Sequence, residues 1–139
     1  MGVVAQGSEV ARRRVRDARV ARLATIAPDG RPHLVPFTFC LEGERILSAI
    51  DAKPKSTMAL RRLDNVRRDP RVAVLVDHYE DDWEALWWVR LDGAARVLEA
   101  GPERERALHL LSEKYDQYRV TPPPGPVLEI RIERWRSWP

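Results

Sequence analysis

The residues best suited to chemistry stand in one short run, Lys53-Pro54-Lys55-Ser56-Thr57, which follows the apolar segment 46–51. The residues after this run, to about Asn65, have the pattern of a short helix. A strand that delivers two ammonium groups and two hydroxyls to a helix N-terminus builds an anion site, because free backbone N–H groups and the positive end of the helix dipole converge there. In the alternative interpretation, Ser56 or Thr57 only caps the helix while both lysines face solvent.

Patterns typical of other chemistries do not occur in the sequence. It contains no Gly-Xaa-Ser-Xaa-Gly, His-Glu-Xaa-Xaa-His, Cys-Xaa-Xaa-Cys or Walker pattern. His33, His78 and His109 are far apart and show no metal-ligand spacing, so no metal site is predicted. The single cysteine, Cys40, is expected to be a small core residue rather than a nucleophile. The sequence therefore offers an anion-binding segment but no self-contained catalytic group.

The composition is that of an ordinary globular protein. The chain has 139 residues, and we expect one domain over 1–139 with 1–7 as a loose leader. No apolar run approaches the ~20 residues that span a bilayer, and arginines interrupt the N-terminal region where a signal peptide needs an apolar core. With one cysteine, this favours a cytoplasmic protein without a membrane partner. The net charge of +3 is interleaved with acids, which favours a small anionic ligand over nucleic acid.

Short strands joined by turns are expected to position these residues. Pro28-Asp29-Gly30-Arg31 is typical of a tight turn, since proline presets its first corner and glycine permits a positive φ. A second turn is predicted at Glu42-Gly43-Glu44. Gly93, midway along a long alternating segment, predicts a bulge. The predicted strands are 22–27, 32–41, 45–50, 71–77, 87–98 and 127–135, and the predicted helices are 9–19, 53–65 and 102–115.

The strand pattern predicts a mainly β, α+β fold, a six-stranded antiparallel barrel with flanking helices. The first three strands form a meander, and 71–77 is so apolar that we expect it to be buried on both faces. Trp87 and Trp88 should point to opposite faces of their strand, so that only one of them faces a pocket.

Several short motifs occur in a characteristic order: Pro28-Asp29-Gly30-Arg31-Pro32, His33-Leu34-Val35-Pro36, Lys53-Pro54-Lys55-Ser56-Thr57, Asn65-Val66-Arg67, Pro70-Arg71-Val72, Asp77-His78-Tyr79 and Trp87-Trp88-Val89-Arg90. Their order resembles the split β-barrel flavin- and deazaflavin-binding superfamily, which includes the pyridoxamine 5′-phosphate oxidases. Within it, the chain is most similar to a short actinobacterial branch described as probable F-420-dependent oxidoreductases. The resemblance spans roughly 15–135 and implies an FMN-binding-like split barrel.

The resemblance also implies a homodimer with two cofactor sites at the subunit interface. The basic segment after the third strand would then hold the cofactor phosphate. By this correspondence Lys55 contacts the phosphate, with Lys53, Ser56 and Thr57 beside it. Arg61 and Arg62, in the following helix near the anion site, would meet an acidic cofactor tail, with a solvated helix face as the alternative for at least one of them.

The same resemblance implies where the tricyclic ring of the cofactor would lie. The second strand would run along the ring by backbone contact, through His33, Leu34, Val35 and Pro36. The ring or substrate pocket would be walled by residues at the end of the fourth strand and the start of the next, namely Asp77, His78, Tyr79 and Trp88.

One departure from the family pattern guides the choice of cofactor. The FMN-using oxidases place an arginine and a lysine on their second strand, whereas 34–39 has neither. Loss of these donors favours coenzyme F-420, with its acidic lactyl-glutamate tail, over FMN, and makes pyridoxamine phosphate a poor candidate substrate.

The resulting hypothesis is an oxidoreductase that transfers a hydride between reduced F-420 and a small organic acceptor. Hydride transfer requires the protein mainly to hold the two reactants together and exclude water, which agrees with the missing nucleophile–base motifs. An FMN-dependent oxidase or reductase, and a non-enzymatic protein that binds or stores F-420, are the alternatives.

Overall fold

The computed structural model describes residues 7–50 and 57–139, with side chains from residue 61 onward in the second part. The predicted leader therefore falls almost entirely outside the described residues. Within these ranges the helices are α1 (Glu9–Asp17), α2 (Thr57–Arg68), α3 (Pro102–Lys114) and α4 (Asp116–Val120). The strands are β1 (Ala21–Ile26), β2 (Pro32–Phe37), β3 (Cys40–Glu42), β4 (Arg45–Ala49), β5 (Arg71–His78), β6 (Trp87–Leu98) and β7 (Val127–Trp138). None of the described helices is long and apolar enough to cross a membrane.

The strands form one curled antiparallel sheet in the order β2-β1-β5-β6-β7-β4-β3. Its two edge strands, β2 and β3, are consecutive in sequence and are joined only by Thr38 and Phe39. Because two residues reach at most about 10 Å, the sheet must curl until its edges approach each other at this link. The predicted mainly β, α+β barrel architecture is confirmed.

The strand number differs from the prediction, because the expected strand 32–41 is divided into β2 and β3. The backbone between them bonds to side chains instead of to a neighbouring strand. The backbone N–H of Phe39 donates to the hydroxyl of Tyr115 (3.1 Å), and Ser48 Oγ donates to the carbonyl oxygen of Thr38 (2.7 Å). These bonds turn the chain from one edge of the sheet to the other, so the described residues form seven strands rather than six.

Helices α1 and α2 pack into the main core. Ala11 and Val15 of α1, and Leu63 and Val66 of α2, are buried with the inward side chains of the sheet. Helix α1 ends at Asp17, two residues earlier than predicted, because the next residue is extended. Helix α2 continues to Arg68, beyond the predicted end at residue 65.

Helices α3 and α4 cover a second core, which includes Cys40 and Leu47 beneath Ala107 and Leu111. The five-residue helix α4 was not predicted. Burial raises the pKa of the Cys40 thiol to about 11, so it is protonated at neutral pH and behaves as the expected core residue.

The bulge predicted at Gly93 is confirmed by a register shift between Asp92 and Gly93 in the pairing of β6 with β7. A Cβ atom at Gly93 would lie 2.3 Å from the carbonyl oxygen of Arg131, so only glycine fits this approach. The expectation that β5 is buried on both faces is wrong. Val72, Val74 and Val76 are buried while the outward Leu75 is 36% exposed, because α1 and α2 pack on the inner face alone.

Candidate functional site

A groove of about 770 Å³ lies across the end of the β5–β6 hairpin. Strand pairing places Asp77 opposite Trp88, and Trp88 opposite Trp138 of β7, so these three side chains share the outer face of the sheet. The groove is largely apolar, and its lining comprises Leu75, Asp77, His78, Tyr79, Leu86, Trp87, Trp88, Arg90 and Trp138. The four predicted pocket residues Asp77, His78, Tyr79 and Trp88 are thus brought together, although a cofactor role for them stays a prediction.

The prediction that only one of Trp87 and Trp88 faces the pocket is wrong, since both line the groove. The reason is that the groove crosses the hairpin end and takes side chains from both faces of the strands. Trp87 lies opposite His78, and their rings stack with centroids 5.9 Å apart. The guanidinium of Arg14 also lies over the Trp87 ring, 4.7 Å from its centroid. Trp87 is therefore held between helix α1 and the hairpin.

Polar groups near the groove form two separate side-chain contacts. His78 Nε2 lies 2.5 Å from Glu80 Oε2, and the Trp83 indole N–H donates to the Tyr79 hydroxyl at 3.4 Å. Tyr79 is 66% exposed and Trp83 is 69% exposed. These side chains border the opening of the groove, where a bound molecule would meet solvent.

The predicted ring-contacting strand β2 lies at a sheet edge and pairs with β1 alone among the described residues. Leu34 and Pro36 are exposed, while Val35 is buried in the core. Pro36 lies opposite Arg22, which lies opposite Leu75, so Pro36 is on the groove face about 10 Å from Leu75. The open edge of β2 leaves backbone groups that a planar ligand can contact.

His33 is positioned differently from the other predicted site residues. It lies opposite the buried Thr25, whose hydroxyl accepts a hydrogen bond from Asn65 Nδ2 (3.0 Å). Arg68 in turn donates to Asn65 Oδ1 (3.2 Å). The buried Nδ1 of His33 has no hydrogen-bond partner within the described residues. His33 thus faces a buried polar cluster beneath α2, away from the groove.

The predicted anion-binding residues Lys53, Lys55 and Ser56 lie outside the described residues, and only the backbone of Thr57, the first residue of α2, is described. Arg61, one turn later, is exposed.

Arg62, the second arginine expected near the acidic cofactor tail, is partly buried. Its buried Nε has no hydrogen-bond partner in the described part of the chain, and burial lowers the pKa of its guanidinium. A partly desolvated cation that has no counter-ion among the described residues is costly, which fits a site where an anionic group binds near the start of α2. Tyr118, whose hydroxyl contacts Thr38 (2.8 Å), lies beside it.

Sequence reasoning also missed Leu75, Leu86, Arg90 and Trp138 in the groove. Trp138 lies three residues beyond the predicted end of the last strand, and β7 reaches it because pairing with β6 continues to Trp88. Trp135 and Trp138 are three residues apart, so the apolar alternation breaks at this point and gives no signal for the longer strand.

The fold is a split barrel. Its curled antiparallel sheet has two edges that approach each other without pairing, helices pack against its core, and an aromatic groove lies at the end of a hairpin. The family model described as pyridoxamine 5'-phosphate oxidase matches residues 8–139. The chain belongs to this family.

One curated relative is similar to part of the chain. Over 93 residues the chain is 36% identical to a 5a,11a-dehydrotetracycline/5a,11a-dehydrooxytetracycline reductase of Streptomyces rimosus, a match that covers 66% of this chain and 63% of that protein. The chain therefore spans less than two thirds of the length of this curated relative.

Two solved structures share the fold. A conserved hypothetical protein of Mycobacterium tuberculosis superposes with a TM-score of 0.76 at 28% identity, over 98% of this chain and 86% of that one. A protein of Mesorhizobium loti described as FAD-binding superposes with a TM-score of 0.71 at 23% identity, over 99% and 97% of the two chains.

Proposed function

We propose that the protein is an oxidoreductase that uses coenzyme F-420 and transfers a hydride to a small organic acceptor. The observation that carries this proposal is the aromatic groove at the β5–β6 end, which offers a flat apolar surface with few polar groups. Such a surface suits a planar ring system. Membership of the pyridoxamine 5'-phosphate oxidase family and the relative named as a reductase support redox chemistry.

In this proposal the protein binds, orients and shields, while the bound cofactor supplies the hydride. Trp88 and Trp138 exclude water from the outer face of the groove, and Asp77 and Tyr79 fix the orientation of a molecule at its rim. Lys55, with Lys53, Ser56 and Thr57, would hold the cofactor phosphate. The partly buried guanidinium of Arg62 fits an anionic group in the same region.

The choice of F-420 over FMN rests on strand β2, Pro32–Phe37, which carries no lysine or arginine. The cation nearest to β2 in the strand pairing is Arg22, opposite Pro36, and its Nη1 lies 3.9 Å from the Asp77 carboxylate. A flavin phosphate therefore lacks the donors that the FMN-using oxidases place on this strand, whereas the acidic tail of F-420 can reach arginines elsewhere. FMN is the alternative, favoured by the description of the family itself.

We also propose a homodimer with the cofactor sites at the subunit interface. Apolar side chains lie exposed along the outer face of the sheet, with exposures of 66% for Leu34, 36% for Leu75 and 51% for Trp138. Exposed apolar area on one sheet face suits a second subunit. Sedimentation velocity is expected to give a dimer, and a monomer at micromolar concentration would contradict this part of the proposal.

Titration with oxidised F-420, followed by its fluorescence, tests the assignment. We expect saturable binding to the wild-type protein and weaker binding to Lys55→Ala. Binding should be unchanged in Arg106→Ala, the matched control, which removes one positive charge from an exposed position of α3 outside the groove lining. Reduced F-420 mixed with candidate acceptors should then be oxidised faster with protein than without. Protein that binds FMN and ignores F-420 would refute the cofactor, and tight binding without any turnover would favour a storage role.

A further inference from the structure

A second cavity, of about 410 Å³, lies beside the aromatic groove. It is bounded by the C-terminal half of α1, the start of β1 and the end of β5. Asp77 and Trp87 line both cavities, so the two are adjacent. We call it the basic crevice because four arginines and two aspartates line it, namely Arg13, Arg14, Arg19, Arg22, Asp17 and Asp77.

The positive charge of the basic crevice is only partly neutralised. Arg22 lies 3.9 Å from Asp77, a long contact between half-exposed side chains. The other aspartate, Asp17, is 3.2 Å from Arg16, which lies outside the crevice. Arg13 forms no salt bridge with any described residue, so it can pair with an incoming anion.

The remaining two arginines are held in place by aromatic rings. Arg14 lies over Trp87 at 4.7 Å from the ring centroid, and Arg19 lies over Tyr115 at the same distance. Arg19 also donates to the carbonyl oxygen of Lys114 (3.1 Å). Stacked guanidinium groups retain free N–H donors, so this arrangement positions charge without consuming it.

We propose that the groove and the basic crevice together form the acceptor site, and that the acceptor is a planar, apolar ring system carrying an anionic group. The ring would lie on Trp88 and Trp138, and the carboxylate, sulfonate, phosphate or acidic enol would lie in the basic crevice near Arg13 and Arg22. The identification of the bound molecule as a hydride acceptor rests on the proposed function, whereas the chemistry by which it binds is independent of any cofactor. Helix α1 is then part of the substrate site rather than a solvated face.

A pair of fluorescent probes tests this chemistry on the wild-type protein without cofactor. The probes are 1-anilinonaphthalene-8-sulfonate and N-phenyl-1-naphthylamine, which share one aromatic framework and differ by the sulfonate. We expect saturable binding of the sulfonate at one molecule per chain, weakened by salt. Arg13→Gln with Arg22→Gln should weaken the sulfonate by about tenfold and the neutral probe by less than about twofold. Arg14 is left unchanged because its loss would also disturb Trp87.

Arg31→Gln with Arg106→Gln is the matched control, since it removes two positive charges at exposed positions outside both cavities, and it should change neither probe. Trp88→Ala should weaken both probes. Equal effects of the Arg13 and Arg22 double variant on the two probes, or an equally large effect of the control pair on the sulfonate, would overturn the proposal. Displacement of the sulfonate by stoichiometric F-420 would overturn the acceptor assignment and give the crevice to the cofactor's acidic tail. If F-420 failed to bind while both probes behaved as expected, the cofactor assignment would be wrong, but the site for anionic aromatic molecules would stand.

Discussion

The hydroxyl of Tyr115 is the most informative single group for the stability of this barrel. It accepts a hydrogen bond from the backbone N–H of Phe39 (3.1 Å) and lies within donating distance of the carbonyl oxygens of Arg19 (2.9 Å) and Phe39 (3.0 Å). Its single proton can serve only one of these carbonyls at a time. Tyr115 is 6% exposed, so water cannot replace the hydroxyl. Tyr115→Phe therefore removes the group that holds the β2–β3 link against α3.

The expected cost follows from these contacts. One hydrogen bond to a carbonyl oxygen is lost, worth about 1 kcal/mol net, and the buried N–H of Phe39 loses its acceptor at a cost of about 1–3 kcal/mol. The free energy of unfolding should fall by roughly 2–4 kcal/mol in total. For a chain of this length, this corresponds to a Tm lower by roughly 6–12 °C.

Urea denaturation and thermal melts, both followed by circular dichroism, measure this change. Tyr118→Phe is the matched control, because its hydroxyl makes one partly buried contact, with Thr38 at 2.8 Å, and should cost only about 0.5–1.5 kcal/mol. If Tyr115→Phe were no more destabilising than Tyr118→Phe, the account of the link between the two edge strands would be wrong.

Three further predictions concern the bulge, a buried lysine and the anion site. Gly93→Ala should lower the free energy of unfolding by about 2–4 kcal/mol in urea melts, because its Cβ would meet the Arg131 carbonyl at 2.3 Å; Gly125→Ala, whose Cβ would find its nearest neighbour at 3.5 Å, should change it by less than about 1 kcal/mol. Burial lowers the pKa of Lys114 from 10.5 to about 8, so between these pH values the unfolded chain binds one proton more than the folded chain. The wild-type protein should therefore gain stability relative to Lys114→Met as the pH rises through this range, with no such gain below about pH 8. A constant difference in the free energy of unfolding across this range would contradict the lowered pKa. Lys55→Ala should weaken cofactor binding by about 1.5–3 kcal/mol in the fluorescence titration, and unchanged affinity would move the phosphate site elsewhere.

Features with local causes were readable from the sequence. The turn at Pro28–Arg31 forms because Gly30 adopts a φ of 87°, and the bulge at Gly93 follows from an interrupted alternation. The long strands and the amphipathic helices were found because burial of one face leaves a period of two or 3.6 in the chain. The family was recognisable for a related reason, since the order of several short motifs survives as one linear pattern.

Features that depend on distant partners could not be read in this way. The division of 32–41 into two strands is caused by Tyr115, 76 residues further along the chain. The outer face of β5 is exposed because the helices pack only on the inner face, and the apolar sequence of the strand does not reveal on which face they pack. The contact of Arg14 with Trp87 could not be read from the sequence either, because it joins two elements far apart in the chain.

The candidate site divides along the same line. The sequence by itself indicated the split barrel, the bulge at Gly93 and the tryptophan pair, and it predicts an anion-binding segment, because each is a property of consecutive residues. Only the tertiary structure decided that Trp138 lies beside Trp88, that His33 faces a buried polar cluster, and that the groove is adjacent to a crevice lined by arginines. The physical reason is strand register: a shift of one residue exchanges the two faces of a sheet, and register is set by pairing across the whole fold.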